Sequence, residues 1–397
     1  NLKYILFEGT DLDIEIAIDD AGRLVEKVTN VVNHLNQYFE FPFISAKKSY
    51  YEHGTPRFFQ FKLSDKPISL IPEGEVDGFI NLIFSEDDNI DETVKEFSSQ
   101  CEEAILFGVY KNTSKIKNSL FEIQKINKVK ENNRDDKVAV RELESILQHH
   151  INLLNHYVLD NIYSDSNDIV WYFQGNPIKI IDRKSFNQRL SSICDTVYIA
   201  IPDFKNELLN KTKVSGQISS ARRRLFEKLL NNIDDNNLGF TADEFPPEKS
   251  IYLTLLKKTK IHRITNGVGI LAKSSFDPTF DQLWKAGEQF LSSTKHKERN
   301  LNDFVSLLSN RPFKLKQGFL DFWIPIFLLS KSDEFALFEN GNYVPEINPD
   351  ILDLIYKRPG LFNIKALDVV GIKLELFNRY RVFLNQAESS KPNNKAF

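Results

Sequence analysis

The stretch Gly78 to Tyr110, GFINLIFSEDDNIDETVKEFSSQCEEAILFGVY, decides the class of the fold. It opens and closes on short apolar runs, GFINLIF and AILFGVY, whose length and aromatic and branched content read as buried strands. Between them Asp91 stands where a helix cap is needed, and the segment TVKEFSSQ follows as the helix. Strand, helix, strand is the pattern of a parallel pair, because parallel neighbours require a crossover connection. Working outward, Gly54 to Asp65 (GTPRFFQFKLSD) predicts another strand. Lys3 to Gly9 (KYILFEG) predicts a buried strand that leads into a loop with Asp11 and Asp13, and a helix is expected from Ile16 to Val32.

Beyond Tyr110 the pattern turns helical. Thr113 to Asn127 reads as a helix, and the polar run KENNRDD then breaks it. Val138, Leu143, Ile146, Ile151, Leu154, Val158 and Ile162 fall near helical spacing and predict a long amphipathic helix from Asp136 to about Ile162. Asp168 to Ile181 resembles a hairpin that turns at Gly175-Asn176-Pro177. Further helices are expected over Lys184–Thr196, Ser219–Asn231, Ser250–Lys258, Phe280–Leu291, Leu301–Leu308, Phe319–Leu329 and Ile351–Leu354, before a polar tail from Ala387 to Phe397. The expectation is a mixed α/β chain: a parallel α/β module over 1–130, a helical region with a short hairpin over 131–265, and a mostly α region over 266–397.

Charge and composition exclude several classes. With 51 basic and 55 acidic residues the net charge is −4, so any attraction for nucleic acid must come from a local patch. The most apolar stretch, Phe319 to Leu329, is interrupted by Asp321 and Pro325 and falls short of the ~20 residues that a membrane helix needs. Cys101 and Cys194 are too far apart in sequence to suggest a zinc site or a disulfide framework, and no leader-like segment opens the chain, so the cytoplasm is the expected compartment. A phosphate-binding loop needs Gly-Lys followed by Ser or Thr, and no Gly-Lys pair occurs. No cofactor is therefore expected on these residues.

The most concentrated positive charge is Arg222-Arg223-Arg224, within SGQISSARRRLFEKLLNN. Leu225, Leu229 and Leu230 would form the buried stripe of that helix, and successive arginines step around it so that at most two share a face. With Lys211 and Lys213 nearby they are the candidate phosphate contacts, against the alternative of a salt-bridged surface helix. His149, His150 and His156 read as ordinary helix residues, and His262-Arg263 as a C-terminal helix cap. Phe245 to Lys249 (FPPEK) reads as helix-start chemistry, and Phe58, Phe59 and Phe61 beside Arg57 would suit base stacking only if exposed.

Several phrases taken together carry a resemblance: Ile5 to Asp11 (ILFEGTD), Gly54 to Phe59 (GTPRFF), Asn206 to Asn210 (NELLN), Ser219 to Arg222 (SSAR), Phe245 to Glu248 (FPPE), Ile261 to Arg263 (IHR), Ala336 to Gly341 (ALFENG) and Val344 to Glu346 (VPE). The combination resembles the region downstream of the nucleotide-binding core in very large bacterial P-loop ATPases of anti-phage defence, of which the BREX-type ATPase component is one group. That resemblance implies an ATP-driven, DNA-associated machine that acts with partner subunits, with ATP and Mg²⁺ held elsewhere in the full-length protein. It carries over a partner contact to Asn206, Glu207 and Asn210, and a DNA contact to Arg222, Arg223 and Arg224. The alternatives are a metal-dependent nuclease, with Asp11, Asp13, Glu86 and Asp87 gathered at strand ends, and a plain oligomerisation or adaptor module that uses the long helix Asp136–Ile162 as its interface.

Overall fold

The computed structural model describes residues 10–111, 113–165 and 168–367. The strand expected over Lys3–Gly9 and the tail Ala387–Phe397 lie outside them. The chain divides into two units, one of residues 1–46 and 57–193, the other of residues 47–56 and 194–397. The boundary expected near 130–135 falls inside the first unit, and the one expected near 265–277 falls inside the second.

The first unit is built on a six-stranded sheet. Helices α1 (Ile14–Ala21) and α2 (Val31–Tyr38) precede strand β1 (Ile44–Ser45), and helix α3 (Lys47–His53) belongs to the second unit. The helix expected from Ile16 to Val32 is thus two helices, because the chain turns at Gly22. Strands β2 (Phe58–Ser64), β3 (Gly78–Ile83) and β4 (Ile105–Tyr110) run parallel, with helix α4 (Ile90–Ser99) as the crossover between β3 and β4. All six residues of β3 and of β4 are buried, the property of central parallel strands covered on both faces. On one face Ile90 and Val94 of α4 pack against Phe79, Ile83, Ile105 and Phe107.

Helices α5 (Thr113–Asn132) and α6 (Lys137–Val158) form a long antiparallel pair. Asp136 caps α6 by accepting the Val138 and Ala139 amides, and Tyr110 donates its hydroxyl to the Val158 carbonyl at 2.6 Å. Strands β5 (Ile169–Phe173) and β6 (Asn176–Ile178) then return antiparallel, so the sheet is mixed and only its centre is parallel. Their turn lies on Gln174-Gly175, one residue earlier than expected, and both residues have positive φ, the backbone of a tight hairpin turn. Helix α7 (Arg183–Val197) follows.

The second unit has one continuous apolar core around helices α8 (Gly216–Asn231), α9 (Pro247–Ile251), α10 (Asp281–Ser293), α11 (Leu301–Ser309), α12 (Gln317–Ser330) and α13 (Pro349–Lys357). Twelve of the 14 residues of α12 are buried, and Trp323 meets Phe280, Trp284 and Phe319 at ring-centroid distances of 5.8, 4.9 and 6.1 Å. This region is not purely helical. Strands β7 (His262–Thr265) and β8 (Val268–Leu271) form a hairpin. Strands β9 (Arg299–Asn300), β10 (Phe335–Glu339), β11 (Asn342–Val344) and β12 (Phe362–Ala366) form a second sheet in the order β11-β10-β12-β9. These strands are three to five residues long or shorter, too brief for an alternating pattern to declare itself.

Arg57 and Asp77 pair at 2.9 Å within the first unit, where the side chains are 1% and 0% exposed, and Asp77 also accepts the Phe58 amide at the start of β2. Removing one partner of such a pair leaves a charge in an apolar interior. Asp77→Ala is expected to cost about 3–5 kcal/mol, measured as a fall in the denaturant midpoint of the transition that reports the β-sheet unit.

Candidate nucleic-acid interface

The arginines singled out by their density lie on α8, and each is held by carboxylates of the second unit. Arg222 is 3% exposed; its Nη2 donates to Asp353 at 3.0 Å and its guanidinium lies 3.4 Å from the centre of the Tyr356 ring. Arg223 donates to Asp353, Asp350 and Glu227 at 2.8, 2.9 and 3.0 Å. Arg224 makes a forked pair with Glu248 at 2.6 and 3.0 Å. Three guanidinium groups therefore face four carboxylates, and the cluster offers a phosphate no net positive charge. Of the two readings open for this helix, the salt-bridged one describes its geometry.

The electrostatics agree with the geometry. Burial alone would push the Asp353 carboxyl up, but hydrogen bonds from Arg223 and Arg222 reverse this and hold it below the usual range. Glu248 behaves likewise: burial raises it, and the Arg224 fork, a backbone hydrogen bond and the charges of Arg224 and Lys228 together bring it below the usual range. Asp321, 4% exposed on α12, is the exception. Burial pushes it up to about 6, against the lowering influence of the Gln317 hydrogen bond and the Arg222 charge. Its Oδ2 has no partner, and neither do Nε and Nη1 of Arg222.

The remaining sequence candidates separate by exposure. Lys211 and Lys213 are exposed, and neither forms an ion pair among the described residues. Asn206 and Asn210 are 7% and 4% exposed, so they are not free to meet a partner. Asn206 donates to Thr254 at 2.8 Å and caps the Leu208 amide, while Asn210 donates to the carbonyls of Gly54 and Phe204 at 2.8 and 2.6 Å. They are loop clamps. Glu207 is exposed and accepts the Tyr50 hydroxyl at 2.7 Å.

The acidic strand-end set is not brought together. Asp13 caps α1, Asp87 caps the turn into α4, Glu86 pairs with Lys117, and Asp11 joins no metal-ligand cluster among the described residues. The stacking reading of Phe59 and Phe61 also fails, because both are buried at 0% and 7% exposure.

A different surface emerges from the stretch Lys249 to Phe276. It contains six basic residues, Lys249, Lys257, Lys258, Lys260, Arg263 and Lys273, and no Asp or Glu, in a chain whose net charge is −4. The stretch folds as α9, a π-helical turn (Tyr252–Lys257) and the β7–β8 hairpin. Asn266-Gly267, both with positive φ, make its tight turn. His262 is not a helix cap. It is a buried residue of β7, whose Nε2 donates to the Ile233 carbonyl at 2.8 Å and whose Nδ1 meets the Tyr252 hydroxyl at 3.0 Å. Asp234 accepts the Gly269 amide at 2.7 Å, and a Cβ on Gly269 would lie 1.8 Å from the Ile233 carbonyl oxygen, so the hairpin is seated closely on the segment that leaves α8.

Two of the six cations are engaged: Lys273 pairs with Asp333 and Glu334, and Lys249 donates to three loop carbonyls. The other four have no carboxylate partner among the described residues. Lys257, Lys258 and Lys260 are exposed, and Lys257 donates only to the neutral Asn237 side chain. Phe276, 62% exposed, lies under both Lys260 and the Arg263 guanidinium at 5.1 and 5.2 Å. Arg263 keeps an Nε without a partner. An exposed ring bordered by two cations can stack a base while its neighbours meet phosphate oxygens. The sequence signal of this patch is composition over a 28-residue window and not adjacency of arginines.

By contrast α12, which follows α11 and precedes the β10–β11 hairpin in helix-turn-helix order, buries nearly its whole length and cannot enter a groove.

Because the folded state holds Asp321 near 6 and the unfolded chain near 3.8, this group favours folding below about pH 4 and loses that contribution as pH rises through 6. Asp321→Asn is expected to raise stability at pH 7–8 by about 2–3 kcal/mol and to flatten the unfolding midpoint between pH 4 and 7. Arg222→Ala should act in the opposite sense, lowering stability by about 1–3 kcal/mol, because the half-buried Asp353 loses one of its two arginine donors and the buried Asp321 loses a nearby positive charge. Set beside family models, curated proteins and solved structures, the chain matches none of them.

Proposed function

We propose that this chain is a non-catalytic, DNA-binding and scaffolding segment of a larger phage-defence ATPase, and that it contacts DNA through the helix–hairpin surface of Lys249 to Phe276. The observation that carries the DNA contact is the run of six cations without an acid, folded so that Lys257, Lys258, Lys260 and Arg263 remain unneutralised around an exposed phenylalanine. Lys211 and Lys213 are two further exposed cations of the same unit. Assignment to a defence ATPase rests on the phrases quoted from the sequence. On that reading ATP and Mg²⁺ belong to the part of the protein with the phosphate-binding loop, and other subunits of the complex are further partners. Among the described residues no helix is long and apolar enough to cross a membrane.

The contact is made through phosphates, which position without specifying sequence. Four unneutralised cations would release about three to four counterions from duplex DNA and slightly fewer from a single strand. Fluorescence anisotropy of labelled duplex and single-stranded DNA across a salt series is expected to give a slope of log K against log salt of about −3. The combined change Lys258→Ala, Lys260→Ala, Arg263→Ala should flatten that slope by about 2–3, and Phe276→Ala should weaken binding to single strands by about 1–3 kcal/mol while leaving the slope in place. Binding that is absent in the parent chain, or unchanged in the triple variant, would remove the DNA reading.

A further inference from the structure

We propose that Glu52, His53 and Asp195 form a binding site for a divalent transition-metal ion, Zn²⁺ being the best fit, with Asp203 as its positioning residue. Each of the three supplies one ligand atom, and these atoms lie within 4.8 Å of one another. The DNA-binding surface uses none of these residues.

His53 carries the argument. Its Nδ1 lies 2.6 Å from Asp203 Oδ1, the geometry of a ring proton on Nδ1 donated to that carboxylate, and in the neutral ring this leaves the Nε2 lone pair for a ligand. Nε2 faces Asp195 Oδ1 at 3.4 Å. That separation is too long for a charge-assisted hydrogen bond, which closes to about 2.7–2.9 Å. It is, however, the spacing of two ligands at a tetrahedral ion with bonds of about 2.0–2.2 Å, which stand about 3.4 Å apart. A cation placed between them would be bound by both. The carboxylate–histidine–metal chain, in which a second carboxylate fixes the ring, is the arrangement that metal-binding histidines commonly use.

The backbone holds these groups in place. Phe204 donates its amide to the His53 carbonyl at 3.0 Å, and Gly54 donates to the Tyr50 carbonyl at 2.7 Å. Gly54 has φ +81°, and a Cβ there would lie 2.3 Å from the Phe204 carbonyl oxygen, so the two segments approach more closely than any other residue permits. Asn210 ties both segments by donating to the Gly54 and Phe204 carbonyls. One nitrogen and two carboxylate oxygens suit Zn²⁺ in a site with one open position, and they discriminate weakly against Mn²⁺. Glu52 now pairs with Lys48 at 3.5 Å across an exposed turn, a contact that a bound ion would displace at little cost.

The test is calorimetric titration of the full chain with ZnCl₂ in a non-chelating buffer at pH 7.5, together with the absorption spectrum of the Co²⁺-loaded protein. One ion should bind per chain. His53→Ala should abolish binding, and Asp203→Asn should weaken it by 10–100-fold while leaving the ligand set intact. Zn²⁺ should raise the melting temperature of the parent chain and not that of His53→Ala. Should His53→Ala fail to fold, Asp195→Asn, which preserves shape, is expected to weaken binding at least 10-fold. Absence of Zn²⁺ binding in the parent chain, or binding of undiminished affinity in a folded His53→Ala or Asp195→Asn variant, would overturn the assignment.

Discussion

Three helices of the second unit meet at one guanidinium. Arg222 on α8 reaches Asp353 on α13, lies over the Tyr356 ring, and sits close enough to Asp321 of α12 to influence that carboxyl. A charge this deeply buried is tolerated only while its partners stay in place. The helices that provide them are therefore fixed relative to α8. Arg223 and Arg224 extend the same cluster toward solvent through Asp350, Glu227 and Glu248. The partnering is incomplete at Asp321 and at two nitrogens of Arg222, the places where a bridging water would find both donors and an acceptor. The large aromatic core around Trp323 supplies apolar burial, and the ion cluster determines how α8 and α13 are registered against it.

The same cluster explains why charge density in sequence misleads. Three adjacent arginines point in different directions, and each direction here meets an acid from a distant part of the chain, 24 to 131 positions away. The stretch from Lys249 to Phe276 has the reverse design: its cations are dispersed, no acid lies among them, and Lys257, Lys258 and Lys260 at the end of the π-helical turn are exposed. What a phosphate senses is the charge left after internal pairing, summed within a screening length of about 10 Å.

Long periodic segments were legible and short ones were not. The two continuous apolar runs of β3 and β4, and the helix capped by Asp136, are fixed by local composition, and the structure reproduces them within a few residues. The antiparallel return of β5 and β6 escaped the expectation of a parallel module because strand direction is decided by pairing, which no local pattern encodes. Strands β7 to β12 run five residues at most, and their hydrophobic pattern is indistinguishable from that of neighbouring loops. At the candidate sites the sequence gives residue types and not the environments that decide what they meet. The resemblance marks Asn206 and Asn210 as partner contacts, whereas both are buried loop clamps, and nothing local marks His53, whose partners Asp195 and Asp203 lie more than 140 residues downstream.

The ten residues from Lys47 to Pro56 leave the first unit, join the second, and return. The second unit is therefore discontinuous in sequence: its helix α3 and its Gly54 turn are synthesised some 140 residues before the rest of it. During translation this segment must remain without its eventual neighbours while the whole β-sheet unit is produced, so the order in which the chain is made differs from the order in which its parts can fold. A single cut near residue 193 would separate neither unit cleanly, because each half would retain or lack a piece that belongs to the other.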